Sequence, residues 1–246
     1  TGGLIGQINQ DASTNTKRLS YTFDGCKILG TKDGSGNITD TVKINSLAGG
    51  AGGLVGVVSS KVEGQYWYGG LLECKNTQID GLEIYSAGAA IGGLIGASFN
   101  IVNSQYELQD NTATNMTLVA TTTDGNNVGG LIGTYIPVPW TNTVKTEQHI
   151  LNVANNTVTD STLNTLANYT TDHSHSIGGL VGLIGLKQQN DANSTFTFTE
   201  NTVEDVTLGQ WVDGSGNVKV AEHPVGGLIG SSYGDKLVIT DCIVRN

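Results

Sequence analysis

One hexapeptide constrains this chain more than anything else in it. IGGLIG stands at 91–96, and nearly the same letters return five more times: TGGLIG at 1–6, AGGLVG at 51–56, VGGLIG at 128–133, IGGLVG at 177–182 and VGGLIG at 225–230. The glycine pairs begin at Gly2, Gly52, Gly92, Gly129, Gly178 and Gly226, with spacings of 50, 40, 37, 49 and 48 residues. Self-similarity at such a period marks a repeat architecture, in which each unit buries its apolar face against its neighbours.

A second mark lies between the first ones. FDGCKIL (23–29), LECKNTQ (72–78), LQDNTATN (108–115), VANNTVTD (153–160), FTENTVED (198–205) and ITDCIVRN (239–246) place Cys26, Cys74, Asn111, Asn156, Asn201 and Cys242 in one series. The two marks alternate about every 22 residues, close to the length of a coil made of three short strands and three bends. The segments between them alternate at period two, as in STFTFTENTVEDVTL (194–208), which favours strand over helix. The spacing therefore predicts two coils per repeat. The expected fold is all-β: a single-domain parallel β-solenoid over 1–246, of roughly eleven coils with protruding hairpins. At about 4.8 Å per coil the rod would be about 50 Å long. Right-handed winding is expected, as for nearly all parallel crossovers.

Stacked coils would file Ile5, Val55, Ile95, Ile132, Val181 and Ile229 along one core row, where β-branched residues suit the pleat. The glycine pair would serve a sharp bend or a close approach of backbones. The row Leu4, Leu54, Leu94, Leu131, Leu180 and Leu228 points inward if the chain bends at the glycines, and forms an outer stripe if the strand runs straight. In the second series, aligned Asn side chains can bond up and down the stack, with Cys as a small buried substitute. Two coils per repeat would set Cys26 and Cys74 about 10 Å apart, beyond disulfide reach, so all three cysteines are expected to be free thiols.

The composition excludes several functions. Net charge is −10 with only 12 Lys and Arg, so no basic track exists for nucleic acid. No apolar run is long enough to span a membrane. DGSGN occurs at 33–37 and 213–217; it reads as a hairpin tip, since a calcium loop wants more carboxylates than Asp33 or Asp213 alone. DHSH (172–175) sets His173 and His175 beside Asp172, but His149 and His223 have no spacing that completes a metal site. Trp67, Trp140 and Trp211 could stack on sugars or merely shield the core. Threonine runs such as TFTFT (195–199) suggest an ice-matching array, against which stand the irregular repeat lengths. Adjacent acids such as Glu204–Asp205 point to opposite strand faces, and neither HExxH nor GxSxG occurs.

The tandem GGL[IV]G copies, Gly3-Leu4-Ile5-Gly6 through Gly227-Leu228-Ile229-Gly230, resemble the GLUG motif. That motif recurs in large secreted and surface proteins of bacteria, including adhesin-like proteins and non-catalytic stretches of IgA-type metallopeptidases. The resemblance implies an extracellular, cell-surface repeat region, adhesive or spacer-like, with no catalytic residue. The peptidase zinc motif is absent, so protease activity does not carry over. The expectation is a non-enzymatic stalk or adhesin scaffold without cofactor, a segment of a longer protein. Its partners would be a host or matrix glycan or protein. Alternatives are a carbohydrate-binding or carbohydrate-active β-helix, and a subunit stacking end to end in filaments, since neither terminus reads as a polar cap.

Overall fold

The computed structural model describes residues 1–10, 20–47, 49–60, 67–68, 70–88, 90–99, 101–102, 104–121, 127–136, 149–166, 175–185, 194–212, 218–220, 224–233 and 236–246. Backbone alone is described at 9–10, 60, 67–68, 101–102, 211–212 and 218–219. The described residues form strands and turns without a helix. Apart from two short antiparallel hairpins, every strand pairing is parallel.

Each strand pairs with its counterpart one repeat later, which is the arrangement of a parallel β-solenoid. The first sheet contains Ser20–Asp24, Leu71–Lys75, Gln105–Gln109, His149–Ala154, Ser194–Thr199 and Lys236–Thr240. The second has two legs. Its first leg runs through Lys27–Leu29, Gln78–Asp80 and Thr112–Thr114, and its second through Val42–Ser46, Leu82–Ser86 and Thr117–Ala120. The legs fuse in Thr157–Thr165 and Thr202–Leu208, and Ile243–Arg245 ends the first. The third sheet contains Gly50–Gly52, Ala90–Gly92, Asn127–Gly129, Ser176–Gly178 and Val225–Gly226. The fourth contains Ile5–Gln10, Val55–Ser60, Ile95–Phe99, Ile132–Ile136, Val181–Ile184 and Ile229–Ser232.

This register corrects the expected coil count. Ile5 pairs directly with Val55, Val55 with Ile95, Ile95 with Ile132, Ile132 with Val181 and Val181 with Ile229. The row is in file, but it is one coil per step. Both marks fall on every turn, so six repeats make six rungs, not eleven coils, and the stack is about 30 Å tall. The period of about 22 residues arose because each rung has two comparable halves.

The glycine motif is a fold within the rung. In the inner rungs the third and fourth sheets are buried on both faces, unlike the first, whose strands alternate. Those two sheets are the legs of an arch, packed back to back with room only for glycine and small residues. A Cβ on Gly50 would lie 2.8 Å from the Ala97 Cβ, and one on Gly96 would lie 2.4 Å from the Ala51 nitrogen. The arch is sandwiched between the first sheet and the second leg of the second sheet. Its first-sheet side carries Ser98 on Tyr106 and Tyr135 on Ser104, each at 2.7 Å, and the Tyr106 and Tyr135 rings lie 4.9 Å apart. The tip meets both legs of the second sheet, where a Cβ on Gly53 would come within 3.0 Å of Ile28 in the first and Leu82 in the second.

The tip also settles the leucine row. Leu54, Leu94, Leu131 and Leu180 are wholly buried, so the chain bends and Leu points inward. At this corner one carbonyl serves two donors: Leu94 O accepts from the Leu54 and Val55 amides, both at 3.0 Å, and Leu131 O accepts from Leu94 and Ile95 at 2.9 Å.

The opposite corner holds the amide series. Asn111 N and Nδ2 donate to Asn156 Oδ1 at 3.0 and 2.8 Å, and Asn156 repeats both bonds to Asn201 at 3.0 Å. Their amides also donate to the preceding rung, Asn111 to Cys74 O at 2.8 Å and Asn156 to Leu108 O at 2.9 Å. These groups are fully buried, and the ladder meets the demand that buried polar atoms be bonded. One member differs from the expected series. Phe23 pairs with Cys74 and Cys26 falls level with Thr77, so the column reads Cys26, Thr77, Asn111, Asn156, Asn201, Cys242. Cys74 belongs to the core file of Phe23, Leu108, Val153 and Phe198. The three thiols are free, although the two-coil spacing used to argue it does not hold.

Candidate functional site

The outer surface is where recognition chemistry could sit, and its regularity varies from place to place. From the first sheet through the amide corner to the end of the second, residues 71–86, 105–120 and 150–165 align without a gap. Unequal repeat lengths are taken up elsewhere: between the fourth and first sheets, between the second and third, and in an insertion at 30–41. The column just before the amide ladder turns through left-handed backbone at Gly25, Asn76, Asp110, Asn155, Glu200 and Asp241. Asn and Asp tolerate that conformation, which explains the acidic or amide residue preceding each mark. A second left-handed column, Gly81, Asn115, Asp160 and Asp205, separates the two legs of the second sheet.

Between these corners the first leg shows two short files of threonine. Thr112, Thr157 and Thr202 form one, and Thr114 and Thr159 continue into Glu204 in the other. Thr159 Oγ1 donates to Thr114 Oγ1 at 3.1 Å. Because rungs are evenly stacked here, irregular repeat length is no objection to an ordered array. The array is limited instead by the exposed corners, where Asp110, Glu200, Asp160 and Asp205 put charge on both flanks. Sequence reasoning missed these files because the repeated Thr-x-Thr lies across different repeats.

Acidic groups on the outer sheets are engaged locally. Glu204 takes the Arg245 guanidinium at 2.8 and 3.0 Å, which holds its carboxyl below the usual range. Asp205 turns away at the corner, so the pair does not converge on one point. Glu73 is lowered by Lys75, which donates to it at 2.6 Å, and by Thr22 at 2.9 Å. Asp80 is nearly buried, paired with Lys32 and bonded by Asn115 Nδ2 at 2.8 Å.

The first DGSGN tip is closed on itself. Asp33 accepts from Asn37 Nδ2 at 3.1 Å and from the Asn37 and Ser35 amides at 2.9 Å, which lowers its carboxyl. It caps an antiparallel hairpin, Thr31–Lys32 with Ile38–Asp40. The second copy, 213–217 with Asp213, lies outside the described residues, but its flanks, Gln210–Val212 and Val218–Val220, pair antiparallel as a hairpin. Asp172, His173, His223 and Trp140 also lie outside. Trp67 and Trp211 stand on described strands, their side chains outside the description. His175 and His149 are buried, one next to the third sheet and one in the first, so the structure does not bring them to a common surface site. Among the described residues no three His, Cys, Asp or Glu side chains group to hold a metal ion.

No protein-family model matches this chain, and no curated protein or solved structure matches it at a significant level. Function must be argued from the rungs themselves.

Proposed function

We propose that this chain is a non-catalytic structural and adhesive segment of a bacterial extracellular or cell-surface protein, its rungs wound right-handed and its projecting loops responsible for recognition. The observation that supports this most is the constancy of the interior against the variety of the exterior. Six rungs share one core pattern, while Thr31–Lys32 with Ile38–Asp40, and Gln210–Val212 with Val218–Val220, pair as antiparallel hairpins outside it. Loops on a rigid frame are where binding residues concentrate. The GLUG-like residues support the same reading, since their glycines and leucine build the arch and present no reactive group at the surface. The partner is then a host or matrix glycan or protein.

A glycan array combined with a reducing-end release assay tests this. Retention on glycans or matrix protein without release of sugar ends is the expected result. Release of reducing ends would replace it with a carbohydrate-active enzyme.

A further inference from the structure

The insertion at 30–41 brings reactive groups from three rungs onto one carboxylate. Asp80 ends the strand Gln78–Asp80, which pairs with Lys27–Leu29 of the rung before and Thr112–Thr114 of the rung after. Ile79 faces the core, so Asp80 stands on the outer face of the first leg, yet it is only 5% exposed. Lys32, on the hairpin of the first rung, sets its ammonium on Asp80 Oδ2. Asn115, at the left-handed corner of the third rung, donates from Nδ2 to Asp80 Oδ1 at 2.8 Å. An amine and a carboxamide from distant parts of the chain therefore lie side by side on Asp80. A neighbouring corner shows the contrast. Asn76 Nδ2 makes the same kind of bond to Asp24 Oδ1 at 2.8 Å, but the adjacent amine of Lys75 donates elsewhere, to Glu73 at 2.6 Å.

We propose that Lys32 and Asn115 join through an intramolecular isopeptide bond, with Asp80 as the acid–base group. Asp80 takes a proton from the Lys32 ammonium, and the uncharged amine attacks Asn115 Cγ. The Nζ–Cγ bond forms, the Cγ–Nδ2 bond breaks, and Nδ2 leaves as ammonia. Of the ammonium protons, one stays on the new amide, one passes through Asp80 to Nδ2, and one ends on the departing ammonia as ammonium. Asp80 finishes as it began, and no oxidant or other reactant enters. Holding both groups on one carboxylate supplies the proximity that free amines and amides lack. Asn115 is exposed at its corner, so ammonia has a way out. The product straps the hairpin to the frame and ties the first rung to the third across the second. Like a disulfide, it constrains the unfolded chain.

The test is the intact mass of the whole purified chain held at neutral pH, followed by tryptic mapping. The linked chain is lighter by one ammonia, and residues 28–43, uncut after Lys32, are joined to residues 76–145. Lys32→Arg keeps a cation beside Asp80 but removes the nucleophile, so it should retain its full mass with an unchanged circular dichroism spectrum. Asp80→Ala should slow linkage many-fold. Full mass in the native chain, linkage as fast without Asp80, or an ammonia loss confined to Asn115 as a succinimide with no joined peptide would each overturn the proposal.

Discussion

At the scale of single residues, most glycines of the repeated motif meet another backbone, and Gly6 does not. A Cβ on Gly130 would sit 2.1 Å from the Gly179 carbonyl oxygen, in a layer where backbone faces backbone and nothing can yield. Gly6 holds the last position of the same motif, yet nothing lies within 4 Å of its Cβ direction. We expect Gly130→Ala to destabilise by about 3 kcal/mol and Gly6→Ala by less than about 1 kcal/mol, read as shifts in the urea midpoint. A second residue ties stability to acidity. Burial pushes the His149 imidazole down to about 4 from an ordinary 6.5. Between those values the unfolded chain takes up a proton that the folded chain refuses. The contribution is therefore whole above about pH 6.5 and drains away as pH falls towards 4, by roughly 3 kcal/mol in all. Urea midpoints at pH 7 and pH 4.5 should diverge more in the native chain than in His149→Gln.

At the scale of elements, the sequence displayed what is periodic along a strand and hid what is formed between rungs. Strand content, parallel pairing, the file of Ile5 to Ile229 and the Asn ladder were legible because alternation and recurring letters encode them directly. The arch was not legible. Two segments buried on both faces look, residue by residue, like one glycine-rich bend, and nothing local says that the bend is tucked between other sheets. Cys74 was misplaced because Cys resembles both an amide-corner plug and a core aliphatic, and only the pairing of Phe23 with Cys74 decides between them. The hairpin was legible as turn chemistry, and its dispensability follows from the ladder around it. Gly30 N reaches Asp80 O at 2.7 Å and Val42 N reaches Gly81 O at 2.9 Å, so pairing resumes at once beyond the insertion. Later rungs cross this place with one left-handed residue, Gly81 or Asn115. Deleting residues 31–41 lets Gly30 take that role, at the loss of the pair between exposed Lys32 and Asp80, whose carboxylate then faces solvent and keeps Asn115 as a partner. The shortened chain should fold, with a thermal midpoint corresponding to a change of about 1 kcal/mol or less from the unlinked chain.

At the scale of the whole molecule, stability is carried by neighbouring rungs, as in other stacked repeats. Each rung contributes to the arch, the aliphatic files and the corner column together, so a rung is either complete or useless to its neighbours. Excising residues 92–128 joins Ile91 to Gly129 and removes one entire turn. The product should keep its strand spectrum, with a stack shorter by about 4.8 Å in scattering. Excising 92–110 alone removes the fourth-sheet leg of one arch and the first-sheet strand after it but keeps the second-sheet strands that follow, and should leave a chain that does not fold.

The coincidence of one repeat with one turn has a bearing on how such a chain can change its size. Duplication or loss of a gene segment adjusts height in whole storeys, each arriving with its own plumbing of amides and its own keystone of glycines. Between storeys, the balconies can be remodelled freely, because no wall of the tower depends on them.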